Sequence, residues 1–275
     1  MASPSGGEGA ACPRRCSGVE PMGQQLSRLG GGRKGANKPA KSAVFGLALS
    51  EIVADGEVAP PLMMSVIDFF NRVGLREEGL FRVAGDARQL AELRKVLDKG
   101  GVVQWGPAPP TGADGEALTP ECTLGGDEDS AVVAQLLKML FRELPEPLFP
   151  TKSHKALFGA ARENRSDAAG LARAVQAVLH DESLVPPQHL ACAATLFGLL
   201  VATAAEKPSN KMSSTALSVV WAPNLLREAE DKLNDMEAIQ NVQLGTEVVK
   251  VLIEQYDTVF TESARNQSRR ALRLS

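Results

Sequence analysis

The stretch SAVVAQLLKMLFREL, residues 130–144, has the pattern of a helix with one apolar face. Its apolar residues recur every three or four positions, the spacing of one side of an α-helix: Val133, Leu136, Leu137, Leu140 and Leu144. Asp129 precedes it as a candidate N-cap, and the prolines of the following LPEPLFP stop it. The stretch therefore predicts a helix that docks on an apolar core.

The same pattern recurs along most of the chain. APPLMMSVIDFFNRVG (59–74) and ARQLAELRKVLDKGG (87–101) predict two helices before this one, the second capped by Asp86. Further helices are predicted at 152–163, 168–180, 187–206, 213–221 and 236–260. Convincing strands are absent, and residues 101–128 predict a long loop. The predicted fold class is all-α, a single domain of about eight or nine helices.

Composition and charge limit the classes of protein to which the chain can belong. It has 275 residues, of which 44% are apolar and 23% charged, with a net charge of only −3. No global charge argues for nucleic acid, and neither a membrane helix nor a secretory signal is expected. Residues 1–41 predict a disordered basic, Gly-rich tail, 42–262 the domain, and 263–275 a basic C-terminal tail.

The cysteines and histidines predict no metal centre. The four cysteines are scattered, and Cys12 and Cys16 lack a second Cys/His pair at metal-binding spacing. The three histidines lie far apart in the sequence: His154, His180 and His189. No Walker A or G-x-S-x-G motif is present. We therefore expect reduced thiols, no metal and no hydrolytic machinery belonging to the chain itself.

EEGLFRVAGD, residues 77–86, places an arginine in an apolar, glycine-flanked setting. Arg82 lies between Phe81 and Val83, with Gly79 and Gly85 on either side. The residues alone allow two interpretations. Arg82 is either an irregularity of packing or a charge that a tight loop delivers to a partner.

Two other polar features also allow two interpretations. Lys138 and Arg142 lie one turn apart, opposite the apolar stripe of their helix, as a solvated basic face or as a platform for an acidic partner. In NKMSSTALSVVWAPNLLR (210–227), Pro223 is expected to end a helix and to leave Asn224 in a fixed turn. Asn224 then satisfies local backbone groups or contacts a partner.

Taken together, three motifs resemble the Rho GTPase-activating (RhoGAP) domain family. They are EGLFRVAGD, LLKMLFRELPEPLFP and NKMSSTALSVVWAPNLL, in the order and approximate spacing of the family. The resemblance runs from about residue 44 to residue 260. Three motifs in order within an all-helical domain are far more specific than a single E-G-L-F-R.

The resemblance implies roles for individual residues. Arg82 aligns with the family's arginine finger, which enters the GTPase active site and stabilises the charge of the transferring phosphate. Lys138 and Arg142 match the basic pair that holds the finger loop and contacts the GTPase, and Asn224 matches the asparagine that helps to order the finger. Supporting positions in the loop and its surroundings are Gly79, Phe81, Gly85, Asn210 and Pro223.

The implied function is to stimulate GTP hydrolysis by a Rho-, Rac- or Cdc42-like GTPase in its GTP-bound form, which turns off its signalling. The chain then turns over no substrate of its own and needs no cofactor, because GTP and Mg²⁺ belong to the GTPase. A cytoplasmic monomer with weak or no membrane binding and no nucleic-acid partner is expected. A non-catalytic adaptor is the main alternative, and a self-contained hydrolase has no supporting motif. The preferred GTPase, the effect of the 101–128 segment and recruitment to membranes or the cytoskeleton stay open.

Overall fold

The computed structural model describes residues 44–53, 56–99, 103–105, 122–124, 129–227 and 235–272. The predicted tail of residues 1–41, with Cys12 and Cys16, lies outside these ranges. Within them the chain forms twelve helices and two strands: α1 (Leu49–Ile52), α2 (Pro61–Val73), α3 (Ala87–Asp98), β1 (Val103–Trp105), β2 (Cys122–Leu124), α4 (Ser130–Arg142), α5 (Thr151–Glu163), α6 (Ala168–Leu179), α7 (Pro187–Ala205), α8 (Lys207–Asn210), α9 (Ser214–Leu225), α10 (Asp235–Glu254), α11 (Tyr256–Val259) and α12 (Glu262–Leu272). The predicted all-α class is confirmed, and the additional helices include single turns of four residues.

The helices begin where the local sequence supplies an acceptor or a proline. Four start at a side chain that accepts a backbone N–H of the first turn: Asp86, Asp129, Asp167 and Ser213. Helices α2 and α7 instead start with proline in the first turn, where its missing N–H costs no helical hydrogen bond. The predicted caps at Asp86 and Asp129 are confirmed.

Helix α7 is the central element of the core. It is apolar along most of its length and packs against α12, α9, α10, α11 and α1. By length and composition it is apolar enough to cross a membrane, but 56% of its most apolar window is buried within the protein. It therefore has the character of the core helix of a helical domain.

The segment between α3 and α4 contains two short strands where the sequence predicts only loop. β1 and β2 pair in parallel, with Val103 opposite Cys122 and Trp105 opposite Leu124. The loop prediction for 101–128 is therefore wrong at these six residues, while the other residues of that segment lie outside the described residues. Strands of three residues are too short to show an alternating pattern, so the sequence carries no clear signal for them.

Residues 262–272 form helix α12 and not the predicted basic tail. Ala264, Ser268 and Leu272 follow each other one helical turn apart. Ser268 and Leu272 are buried, and Ala264 packs against the core. The helix lies against α7 and α2, and Asn71 of α2 donates to the Ala271 carbonyl at 3.1 Å. Arg269 and Arg270 are exposed, whereas Arg265 is half-buried and pairs with Asp257. The charge of these arginines concealed the i, i+4, i+8 pattern of small and apolar residues.

Candidate functional site

The loop of residues 79–85, called the Arg82 loop below, turns through two residues with positive φ angles. Gly79 has a φ of 76° and Phe81 a φ of 68°. The amides of Arg82 and Val83 both donate to the Gly79 carbonyl, at 2.8 and 2.9 Å. Glycine adopts this conformation freely, whereas it costs phenylalanine about 1–2 kcal/mol. The turn therefore needs support from outside the loop.

Burial of the Phe81 side chain provides part of this support. Phe81 is fully buried, and its ring centroid lies 5.7 Å from that of Phe70 and 5.4 Å from that of Trp221. Trp221 also contacts Phe141 of α4, with 6.0 Å between the ring centroids. Burying a large apolar side chain contributes about 1.5–3 kcal/mol, enough to offset the backbone cost. Because the core holds Phe81, the next residue, Arg82, is placed at the surface with its side chain exposed.

Helix α4 also supports this turn, through the side chain of Lys138. The Nζ atom of Lys138 donates to the Phe81 carbonyl at 2.5 Å, and the side chain is half-buried. Burial lowers the pKa of Lys138 below its ordinary value, and the nearby charge of Arg142 lowers it further. The alternative of a solvated basic face therefore does not hold for Lys138, which is in contact with the Arg82 loop.

Arg142 lies one turn beyond Lys138 on α4 and is exposed. Its backbone carbonyl accepts a hydrogen bond from the guanidinium of Arg227, which also donates to the Leu144 carbonyl at 2.6 Å. Arg227 thus satisfies two carbonyls at the C-terminal end of α4. This role could not be predicted from the sequence, because Arg227 lies 85 residues from Arg142 along the chain.

Asn210 is fully buried beside the Arg82 loop and connects three segments. Its Nδ2 donates to the carbonyls of Leu75 and Thr203, both at 2.8 Å, and its Oδ1 accepts from the Met212 amide at 2.7 Å. Its own backbone carbonyl accepts from the Gly79 amide at 2.8 Å. Asn210 was expected to have a supporting role. It holds the chain at Gly79, where the Arg82 loop begins.

The prediction that Pro223 ends a helix is wrong. Pro223 lies inside α9, and Asn224 belongs to the last turn of that helix. A proline near the C-terminal end removes one helical hydrogen bond there without stopping the helix. The Nδ2 of Asn224 donates to the Val220 carbonyl at 2.8 Å, in its own helix. Within the described residues Asn224 has no hydrogen bond to the Arg82 loop, and its helix contacts the loop through Trp221, which packs against Phe81.

The structure thus brings together only part of the predicted set. The Arg82 loop, Lys138 and Asn210 are joined directly by hydrogen bonds, and Arg142 lies on the same helix as Lys138. Gln135 was not identified from the sequence, yet its Oε1 accepts from the Gly85 amide at 3.1 Å. Its position three residues before Lys138 is a signal for this contact only once the loop is known to lie on α4.

No alternative chemical centre is visible in the parts of the chain that the structure describes. There, no group of three or more His, Cys, Asp or Glu residues is placed to hold a metal ion. Cys192 is buried, and burial raises the pKa of its thiol. Each histidine has a ring nitrogen within hydrogen-bond distance of a backbone carbonyl: His154 of Phe149, His180 of Val259 and His189 of Leu148.

The comparison with known families identifies the class of the domain. A family model described as RhoGAP domain matches residues 60–230, more than half of the chain. The chain therefore belongs to the RhoGAP domain family.

Individual relatives agree with this family. The chain is 31% identical over 221 residues to Rho GTPase-activating protein gacY of Dictyostelium discoideum, which covers 79% of this chain and 27% of the relative. It is 28% identical over 238 residues to human Rho GTPase-activating protein 24, covering 84% of this chain and 28% of that protein. The chain thus spans little more than a quarter of these relatives. The crystal structure of human Rho GTPase activating protein 15 superposes with a TM-score of 0.65 at 25% identity, over 81% of this chain and 94% of that one.

Proposed function

We propose that this chain stimulates GTP hydrolysis by Rho-type small GTPases and that Arg82 acts as an arginine finger supplied in trans. The observation that carries the proposal is the Arg82 loop itself. Its neighbours are fixed by burial of Phe81 and by the Lys138 hydrogen bond, while the Arg82 side chain is exposed. A rigid loop with one exposed guanidinium suits a residue that must reach into another protein.

The chemistry of phosphoryl transfer favours such a residue. Negative charge spreads over the oxygens of the γ-phosphate in the transition state, so catalysis depends on positioning and charge stabilisation. Arginine is always protonated and presents a planar set of donors that matches phosphate geometry. In this role the guanidinium of Arg82 donates to the transferring phosphoryl group, while the nucleotide, its Mg²⁺ and the attacking water are held by the GTPase.

Three further residues complete the proposed site. Lys138 holds the Phe81 carbonyl and so positions the finger from within the domain. Arg142 is exposed on the same helix and is proposed to contact the switch surface of the GTPase. Asn224, half-buried at the end of α9, is proposed to contact the GTPase through its side-chain oxygen, because its Nδ2 is already bound to Val220.

The partner is proposed to be the GTP-bound form of a Rho-, Rac- or Cdc42-like protein. The chain would act as a cytoplasmic monomer without a cofactor of its own. The names of its relatives support the partner class. The preferred member of the class is to be found by comparing the stimulation of a panel of GTPases.

The test is single-turnover GTP hydrolysis by purified Rho-, Rac- and Cdc42-type GTPases with wild-type protein, Arg82→Ala and Arg88→Ala. Arg88 is an exposed arginine six residues away on α3 and serves as the matched control. We expect Arg82→Ala to lose stimulation by about 10³-fold or more, given that an arginine supplied in trans contributes about 10³–10⁵ in the Ras system. Arg88→Ala should stay near wild type.

Binding to the GTP-loaded GTPase, measured in parallel, should be largely retained by Arg82→Ala, because the fold and the basic platform remain. Wild-type protein that binds the GTP-loaded form without accelerating hydrolysis in any GTPase would refute the proposal. That result would make the domain a non-catalytic adaptor.

A further inference from the structure

We infer that Gln135 is a positioning residue for Arg82, acting as a second anchor that fixes the outgoing end of the Arg82 loop on α4. This inference rests on the proposed function for its catalytic consequence, but its structural part can be tested without a GTPase. The anchor is the hydrogen bond from the Gly85 amide to Gln135 Oε1, at 3.1 Å.

Three residues on one face of α4 contact the Arg82 loop. Val132, Gln135 and Lys138 follow each other at intervals of three residues, so they lie on adjacent turns of the same side of the helix. A Cβ atom at Gly85 would lie 2.4 Å from the Val132 backbone nitrogen, so the loop lies directly on the helix there. Gln135 binds the Gly85 amide, and Lys138 binds the Phe81 carbonyl.

The two anchors enclose Arg82. Phe81 directly precedes it, and Gly85 follows three residues later. Lys138 holds the first through a carbonyl, and Gln135 holds the second through an amide. With both ends attached to one helix, the Arg82 backbone moves with α4, which also carries Arg142. Without Gln135, the Gly85 amide would lose its bond to α4, and the outgoing end of the loop would rest on packing against Val132 and on the N-cap of α3 at Asp86.

The chemical requirement explains why this second anchor matters. A charged group stabilises a transition state best when its position is fixed beforehand, because otherwise part of the interaction is spent on ordering the loop. Binding of the GTPase ground state depends on a broad surface and needs this fixation less. Loss of the anchor should therefore lower the maximal rate of stimulated hydrolysis more than the affinity.

The experiment compares wild-type protein with Gln135→Leu, Gln135→Glu and Gln176→Leu. Leucine removes the acceptor at nearly equal volume, whereas glutamate keeps an acceptor oxygen at the same distance from the backbone. Gln176 provides the matched control, because its side chain also bonds a backbone group of another segment, the Thr258 carbonyl at 2.7 Å, away from the loop.

The first measurement is backbone amide hydrogen exchange of the isolated proteins, which needs no GTPase. We expect exchange at Gly85 to accelerate by about two- to tenfold in Gln135→Leu, the range that corresponds to one ordinary hydrogen bond. Gln135→Glu and Gln176→Leu should stay within twofold of wild type at this amide. Unchanged exchange at Gly85 in Gln135→Leu would overturn the anchor.

The second measurement is stimulated GTP hydrolysis at saturating protein, with affinity for the GTPase bound to a non-hydrolysable GTP analogue. We expect Gln135→Leu to lower the maximal rate by about two- to tenfold, with affinity within twofold, and Gln135→Glu to restore the rate. Faster exchange with an unchanged rate would refute the positioning role. Failure of wild-type protein to stimulate any GTPase would refute the proposed function and the positioning role with it, while the exchange result would still decide whether the anchor exists.

Discussion

Asn210→Ala should destabilise this domain strongly, because it removes a fully buried side chain with three hydrogen bonds. The Thr203 carbonyl keeps a second partner, the Glu206 amide at 3.2 Å. The Leu75 carbonyl and the Met212 amide have no other hydrogen-bond partner among the described residues. The substitution therefore leaves the buried Met212 amide and the half-buried Leu75 carbonyl unsatisfied.

The magnitude follows from those two groups. Each unsatisfied buried donor or acceptor costs about 1–3 kcal/mol, and water entering the vacated space recovers part of this cost. We expect a loss of about 3 kcal/mol in the free energy of unfolding, a large share of the 5–15 kcal/mol typical of a domain. Because Asn210 also lies next to the Gly79 amide, the entry to the Arg82 loop should loosen in the folded variant.

The assay is urea denaturation at equilibrium for wild-type protein, Asn210→Ala and the matched control Asn224→Ala. Asn224 is half-buried, and among the described residues its side chain bonds only within its own helix, so its removal should cost less than about 1 kcal/mol. A loss below about 1 kcal/mol for Asn210→Ala, or a loss equal to that of Asn224→Ala, would refute the reasoning.

Two further predictions concern the ends of the loop and its helix. Gly85→Ala should lower stability by about 1–3 kcal/mol in thermal unfolding, because the new Cβ would lie 2.4 Å from the Val132 nitrogen and must displace the loop from α4; a melting temperature equal to wild type would contradict this contact. At Asp86, the amides of Gln89 and Arg88 lower the pKa of the N-cap carboxyl below its ordinary value. Its charged form therefore adds stability that is present above the unfolded pKa and is lost as the pH falls through the lower folded pKa. The advantage of wild type over Asp86→Ala should shrink when melting is followed from pH 6 to pH 2, and an advantage that grows on acidification would contradict the sign.

Much of the secondary structure could be predicted from the sequence, which also singles out Arg82, the central residue of the candidate site. The main helices could be predicted from the spacing of apolar residues and from caps and prolines near the helix ends. The caps Asp86 and Asp129, for example, bind backbone amides two or three residues further along the chain. Arg82 was also recognisable, because an arginine among apolar residues and glycines conflicts with ordinary packing. Such signals involve residues that are close together in the sequence, so they can be read without knowing the tertiary structure.

Tertiary structure decided how the site is held together. The bonds that fix the Arg82 loop join Gly85 to Gln135 across 50 residues and Phe81 to Lys138 across 57. Helix α12 and the pairing of β1 with β2 likewise depend on which surfaces meet. The sequence placed Lys138 on a polar face, and only the position of the loop over that face made it a half-buried donor. Contacts between distant segments depend on how helices pack, and helix packing has no fixed spacing along the chain.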